Sequence, residues 1–182
     1  MLYEKVSITG TPGTGKTAVS NALVEKIEHE LVDVNRVVHD SGEVEYDEDT
    51  ERNTLTVDIN SLRNVLEKQV QGKTVLEGHL SHHFDSDLFI VLRCGPEELE
   101  ERMEKKGWDD EKIRENLESE VIDLLLQEVL NIHDFEKVVE YDTTGKEPDE
   151  VAEELKEIIE GEKSLKNYRP GQVEWSEDHL YS

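Results

Sequence analysis

Five short parallel strands covered by helices on both faces, an α/β fold, are what three observations in this chain predict. Short apolar runs alternate with segments whose apolar residues recur at helical spacing. Several of those runs, Leu88–Leu92 above all, are almost unbroken, as suits strands buried on both sides. The stretch Gly10-Thr11-Pro12-Gly13-Thr14-Gly15-Lys16-Thr17 stands between the first run and the first helical stripe.

In chain order, Tyr3 to Ile8 reads as the first strand, and Val19, Ala22, Leu23 and Ile27 fall on one face of the helix after the glycine-rich stretch. Leu31 to Val34 is a second short strand. Residues 39–54 are polar without clear period, which predicts a mobile loop or short helices. Asp58 caps a helix carrying Ile59, Leu62, Val65, Leu66 and Val70, ended by Gly72. Thr74–Leu76 and Leu88–Leu92 are buried strands. Pro96 opens a helix through Lys106 with Leu99 and Met103 inward, stopped by Gly107. Asp109 or Asp110 caps a longer helix with the stripe Ile113, Leu117, Val121, Leu124. Val138–Tyr141 is the last strand, and Pro148 begins a helix with Val151, Leu155, Ile158 and Ile159.

Composition bounds the rest. The chain has 182 residues, enough for one domain with a single substantial core. One cysteine, Cys94, excludes a disulfide framework and a multi-cysteine zinc site and suits a reducing cytoplasm. No apolar run approaches a membrane span, and MLYEKVSITG lacks the features of a signal peptide, so a cytoplasmic protein without membrane association is expected. With 45 acidic against 20 basic side chains, the formal charge is −25. That sign argues against direct sequence-specific nucleic-acid binding. The charge alternates with apolar residues instead of forming blocks, so it describes a folded protein with an acidic surface. Self-repulsion on this scale is relieved by concentrated salt, which points to a halophilic setting.

Gly10 to Thr17 matches the phosphate-binding loop G-x-x-x-x-G-K-[ST], with a strand before it and a helix after. Glycines let backbone N–H groups curl around a phosphate, and the helix N-terminus adds partial positive charge. Lys16 supplies a point charge for the β and γ oxygens, and the Thr17 hydroxyl is a ligand for Mg²⁺. A nucleoside triphosphate site follows. No Asn-Lys-x-Asp guanine motif is present, and Asp142-Thr143-Thr144-Gly145 lies too near the C-terminus for a GTPase switch, which leaves a small kinase or a small ATPase.

Glu77 ends the strand Thr74–Leu76, where phosphate-loop proteins keep the acid that organises Mg²⁺ or its water. Its arm is longer than that of the commoner Asp, which favours a water-orienting or indirect role. His79 follows across Gly78 and is a candidate to orient a phosphate or an attacking water. His79, His82 and His83 together invite a zinc reading, but their spacing, without a neighbouring cysteine, is not that of a zinc site.

GTPGTGKT, then DVN at 33–35, VD at 57–58, EGH at 77–79, VLR at 91–93, LEERMEKKGW, KIRENLESE and the DTTG loop resemble, in that order, the adenylate kinase isoenzyme six (CINAP) family, in its archaeal and haloarchaeal form. The resemblance runs through the Arg-Pro-Gly…Trp tail and covers essentially the whole chain. It implies a P-loop NTPase of the nucleoside monophosphate kinase type, with residues 1–161 as the kinase domain and 162–182 as a tail. It implies phosphoryl transfer from Mg·ATP to AMP with tolerance for other acceptors, ATP hydrolysis as a second activity, and a part in small-ribosomal-subunit maturation with a uS11-family ribosomal protein as partner.

The resemblance also assigns residues. Gly13, Gly15, Lys16, Thr17 and Ala18 would hold the ATP phosphates. The stretch from about 33 to 57 would bind the monophosphate, with Asn35, Arg36 and Arg52 as contacts. A lid would lie at about 105–115, with Arg102 at its base. Lys106 stands where the family often has a second arginine, keeping the charge but losing the bidentate fork. Lys146, beside Gly145, falls in the loop expected next to adenine. The tail holds Lys163, Lys166, Tyr168, Arg169 and Trp175 around Pro170-Gly171, a cluster that either anchors a partner or folds back on the protein's own core.

Overall fold

The computed structural model describes residues 3–49 and 54–175. Five strands, β1 (Lys5–Gly10), β2 (Glu30–Asp33), β5 (Thr74–Glu77), β6 (Leu88–Arg93) and β7 (Val138–Asp142), form a parallel sheet in the order β2-β5-β1-β6-β7. β1 is therefore central, and the chain leaves it toward one edge before returning to the other. Ligands of open parallel sheets sit at such a switch point, beyond the strand C-termini.

Alternation along β6 sorts the core. Leu88, Ile90 and Leu92 face α1 (Lys16–Val24) and α7 (Pro148–Ile159), packing with Val19, Leu23, Leu155 and Ile158. Phe89 and Val91 face the other way, against Leu126 and Val129 of α6 (Leu124–Ile132). On that second face, Leu76 packs with Val65 and Leu66 of α3 (Ile59–Gln69) and Val34 of α2 (Val34–Asp40). α4 (Pro96–Lys105) and α5 (Asp110–Val121) close a fourth cluster around Leu99, Met103, Ile113 and Leu117. Aspartates cap three helices: Asp33 accepts from Arg36 N, Asp58 from Asn60 N and Ser61 N, and Asp109 from Lys112 N. Each such cap contributes about 1 kcal/mol.

Three expectations are corrected. Of the polar stretch 39–54, residues 39–40 end α2 and 46–49 form a strand, β3 (Tyr46–Asp49), in a two-stranded antiparallel ribbon with β4 (Thr54–Val57). β3 is rich in Asp and Glu, which have low strand propensity, so composition concealed it, and β4 is only four residues long. The long helix expected after Asp109 breaks at Asp123, which takes a left-handed φ of 58° while its carboxylate meets Arg93 Nη2 at 2.5 Å. Asp is among the few residues that enter that region readily. Leu124, expected inward, is 52% exposed as a result. The first strand lies two residues later than expected, because Asp87 receives Glu4 N and Lys5 N, each at 2.9 Å, where pairing begins.

The tail folds back as far as Trp175. A 3₁₀ turn at Leu165–Tyr168 stacks Tyr168 on Tyr141, with ring centroids 6.0 Å apart. Glu154 accepts from Tyr141 Oη, from Tyr168 Oη at 2.6 Å and from Lys163 Nζ at 3.0 Å. Glu140 accepts Gly171 N at 2.8 Å and Gln172 N at 3.1 Å. Trp175 Nε1 donates to Glu120 at 3.2 Å. Of the two readings of the tail, self-packing is the one these contacts realise.

Candidate active site

The phosphate-binding loop joins β1 to α1 because its glycines take backbone shapes that L side chains resist. Gly13 and Gly15 have φ of +101° and +99°, and a Cβ on Gly13 would stand 2.7 Å from Leu99 Cδ1. The loop is tied from outside as well. Thr143 Oγ1 donates to the Thr14 carbonyl at 3.1 Å, and Thr11 Oγ1 donates to Glu120 at 2.5 Å.

Lys16 lies folded across the loop, its Nζ donating to the Gly10 carbonyl at 2.8 Å and the Thr11 carbonyl at 3.1 Å. Burial pushes its pKa down to about 8. Next to it, Thr17 Oγ1 donates to Glu77 Oε1 at 3.0 Å. Glu77 is buried at the C-terminal end of β5, paired in register with Asp33 of β2, and burial pushes its pKa up. His79 is half-buried, and its carbonyl accepts from Thr9 Oγ1 at 3.3 Å. Burial, and then the charge of Lys16, lower its pKa, so the ring is neutral at pH 7.

These groups line one cleft of about 1420 Å³. Gly13, Gly15, Lys16, Thr17 and Ala18 line it together with Arg102, Lys106, Lys146, Glu77, His79 and Asn35. Arg102 leans over the loop, Nη1 to the Gly13 carbonyl at 3.5 Å, and is held by Glu98 at 2.5 Å. Lys106 is exposed, 5.8 Å above the Trp108 ring. Lys146 lies 4.4 Å above the Tyr141 ring. Asn35 lines the cleft, and its Oδ1 is buried with no hydrogen-bond partner among the described residues.

Two predicted contacts do not join this group. Arg36 is exposed, ion-paired with Asp40 at 2.9 Å, and lines an adjoining groove of about 500 Å³ that shares Thr17, Asn21 and Glu77 with the cleft. Arg52 lies outside the described residues.

Sequence reading missed the buried charge cluster behind the loop. Arg93, 1% exposed, pairs with Glu120 at 2.7 Å, Glu140 at 2.5 Å and Asp123 at 2.5 Å. Glu120 also receives Thr11 and Trp175, so one carboxylate joins the phosphate loop to the tail. Glu98 is a second omission, since it holds both Arg102 and Gly145 N. Only the unusual Arg at the end of an apolar strand could have drawn attention to the cluster.

Comparison with known proteins agrees with this geometry. A family model described as an AAA domain matches residues 6–123. The chain is 41% identical over 173 residues to a Thermococcus kodakarensis protein named "Putative adenylate kinase", covering 94% of this chain and 93% of that one. A Pyrococcus furiosus protein of the same name is 41% identical over 174 residues, covering 94% and 91%. One from Methanosarcina acetivorans is 39% identical over 184 residues, covering 93% and 96%. Among solved structures, shikimate kinase from Bacteroides thetaiotaomicron superposes with a TM-score of 0.57 at 14% identity, over 87% of this chain and 99% of that one. Deoxyadenosine kinase from M. mycoides gives 0.56 at 16% identity, over 87% and 100%. The fold is that of the P-loop nucleotide kinases. No helix among the described residues is long and apolar enough to cross a membrane. Its identity to these three proteins extends over nearly the whole sequence, and the chain belongs to their family.

Proposed function

We propose that the protein is a nucleoside monophosphate kinase that transfers the γ-phosphoryl group of Mg·ATP to AMP, with tolerance for other acceptors. The observation that carries this reading is the shared cleft, lined by the phosphate-binding loop, its cations and Asn35, whose Oδ1 has no partner among the described residues. Donor phosphates rest on the loop N–H groups at the start of α1, where the helix end favours negative charge. Lys16 exchanges its two carbonyl partners for phosphate oxygens. Arg102 and Lys106 neutralise charge on the transferred group, and Lys146 borders the base. Asn35 and Arg36, with Arg52, contact the acceptor in the part spanning about 33–57. The lid is the α4–α5 hairpin around 105–115, and its closure excludes water.

Thr17 Oγ1 and Glu77 Oε1, 3.0 Å apart at the floor of the cleft, form an oxygen donor set that fits a hard cation. Thr17 would hold Mg²⁺ directly and Glu77 through water, and the ion supplies charge neutralisation across the β and γ phosphates. Catalysis by Lys16, Glu77, His79 and Arg102 is then positioning and electrostatics, without a covalent intermediate.

The neutral His79 beside Glu77 favours a second activity, ATP hydrolysis, because an imidazole can orient an attacking water. The ordered motifs support the adenylate kinase isoenzyme six (CINAP) branch. With it come a role in small-subunit ribosome maturation, with a uS11-family protein as partner, and a 162–182 tail that packs on the 1–161 kinase domain as far as Trp175. The charge of −25 supports a haloarchaeal cytoplasm. A coupled assay separates kinase from assembly ATPase. ADP formation that requires AMP supports the first; hydrolysis without AMP, stimulated by the ribosomal protein, replaces it with the second.

A further inference from the structure

Glu128, on α6, reaches across the chain to two histidines of the 3₁₀ turn Ser81–His83. Glu128 Oε1 lies 3.4 Å from His82 Nε2 and 3.4 Å from His83 Nε2, and the ligand atoms of the three residues all lie within 4.8 Å of one another. Two donors on a tetrahedral zinc ion, at bonds of about 2.0–2.1 Å, sit roughly 3.3–3.4 Å apart. These two separations are those of metal-ligand edges and are long for hydrogen bonds.

The hydrogen bookkeeping at His82 points the same way. His82 Nε2 faces the Glu128 carboxylate at 3.4 Å and is buried, on a residue 1% exposed, with no hydrogen-bond partner among the described residues. A cation between the two would satisfy that nitrogen. With Nε2 on the ion, the ring proton would sit on Nδ1, 3.4 Å from Thr9 Oγ1. Burial holds both rings neutral at pH 7, with His82 pushed down to about 4.

We propose that His82, His83 and Glu128 bind one borderline divalent transition-metal ion of the Zn²⁺ class, with water completing the coordination. His83 is 18% exposed and Glu128 45% exposed at the side chain, so the remaining position opens to solvent. The turn is held to β1 by Ser81 Oγ donating to the Ile8 carbonyl at 3.0 Å, and to the end of α6 by the His82 carbonyl, 2.6 Å from His133 Nε2. The ion would add a second tie to α6. Because His79 begins the same segment, the site would brace the turn that brings this residue into the cleft. Sequence spacing could not reveal it, since Glu128 lies more than forty positions downstream.

The test uses the full-length chain, stripped with chelator and titrated with Zn²⁺ and with Co²⁺ in molar KCl, which suppresses loose binding to the acidic surface. Expected are one ion per chain, Co²⁺ absorption of four-coordinate intensity, and a melting temperature that rises with Zn²⁺. His83→Ala and Glu128→Gln, at partly exposed positions, should keep the apo far-ultraviolet spectrum yet lose at least about tenfold in Zn²⁺ affinity, together with the thermal shift. Glu77→Gln should take up Zn²⁺ as the wild type does. Absence of stoichiometric uptake, uptake unchanged in His83→Ala and Glu128→Gln, or uptake lost in Glu77→Gln would each overturn the assignment.

Discussion

Lys16 shows how one side chain couples burial to binding. Its ammonium is desolvated against loop carbonyls, so its pKa in the nucleotide-free protein falls to about 8 from the ordinary 10.5. Only the protonated form attracts phosphate. Below pH 8 the affinity for Mg·ATP should therefore be flat. Above it, a proton must be taken up with the nucleotide, and affinity should fall by up to about tenfold per pH unit. Calorimetry at pH 7 and pH 9 in buffers of different ionisation enthalpy checks both the fall and the proton uptake. His79→Ala should lower turnover by about 10²-fold or more while changing ATP affinity little, because the ring is proposed to orient a reacting group. Binding and turnover on one preparation decide this, and an equal loss of both would mean that His79 is structural. Residues whose chemistry is carried by a contiguous motif, Gly13 through Ala18, are legible in the amino-acid sequence alone. Arg93, Glu98 and Glu120 are not, because apart from the Glu98–Arg102 pair their partners lie 26 to 109 positions away.

At the scale of elements, strands buried on both faces were legible as apolar runs, and the helices as stripes ended by glycine or opened by proline. What escaped was structure set by tertiary contact. Of the β3–β4 ribbon, β3 is acid-rich and β4 only four residues long, and the break between α5 and α6 depends on Arg93 holding Asp123. The tail belongs with these. Its aromatic and basic residues could equally have served a partner, but Glu154 and Glu120 on the body receive Tyr168 and Trp175, and Glu140 receives the amides of the turn between them. Cutting the chain after Gly161 would leave the buried Glu140 Oε2 without its amide donors. Stability should drop by at least about 2 kcal/mol, a fall in Tm of about 4–8 °C for a chain of this size. Differential scanning calorimetry reads it, and an unchanged Tm would show that the tail contacts carry no stability.

For the molecule as a whole, the parallel sheet with β1 at its centre places every group of the cleft at the strand C-termini, and a net charge of −25 surrounds it. Charge of one sign opposes compaction until salt screens it over a few ångströms. Raising KCl from ~0.1 M to ~1 M should stabilise the fold by at least about 1 kcal/mol, or about 2–4 °C. Circular dichroism melts would show it, and full stability at the lower salt would remove the halophilic reading. The proposed reaction itself depends on where the γ-phosphoryl group goes. ATP labelled in the γ-phosphate should be incubated with the protein, Mg²⁺ and AMP, and the products separated. The expected result is label in ADP newly made from AMP, with little in inorganic phosphate. Label confined to inorganic phosphate, with AMP unchanged, would contradict phosphoryl transfer between two nucleotides in this cleft.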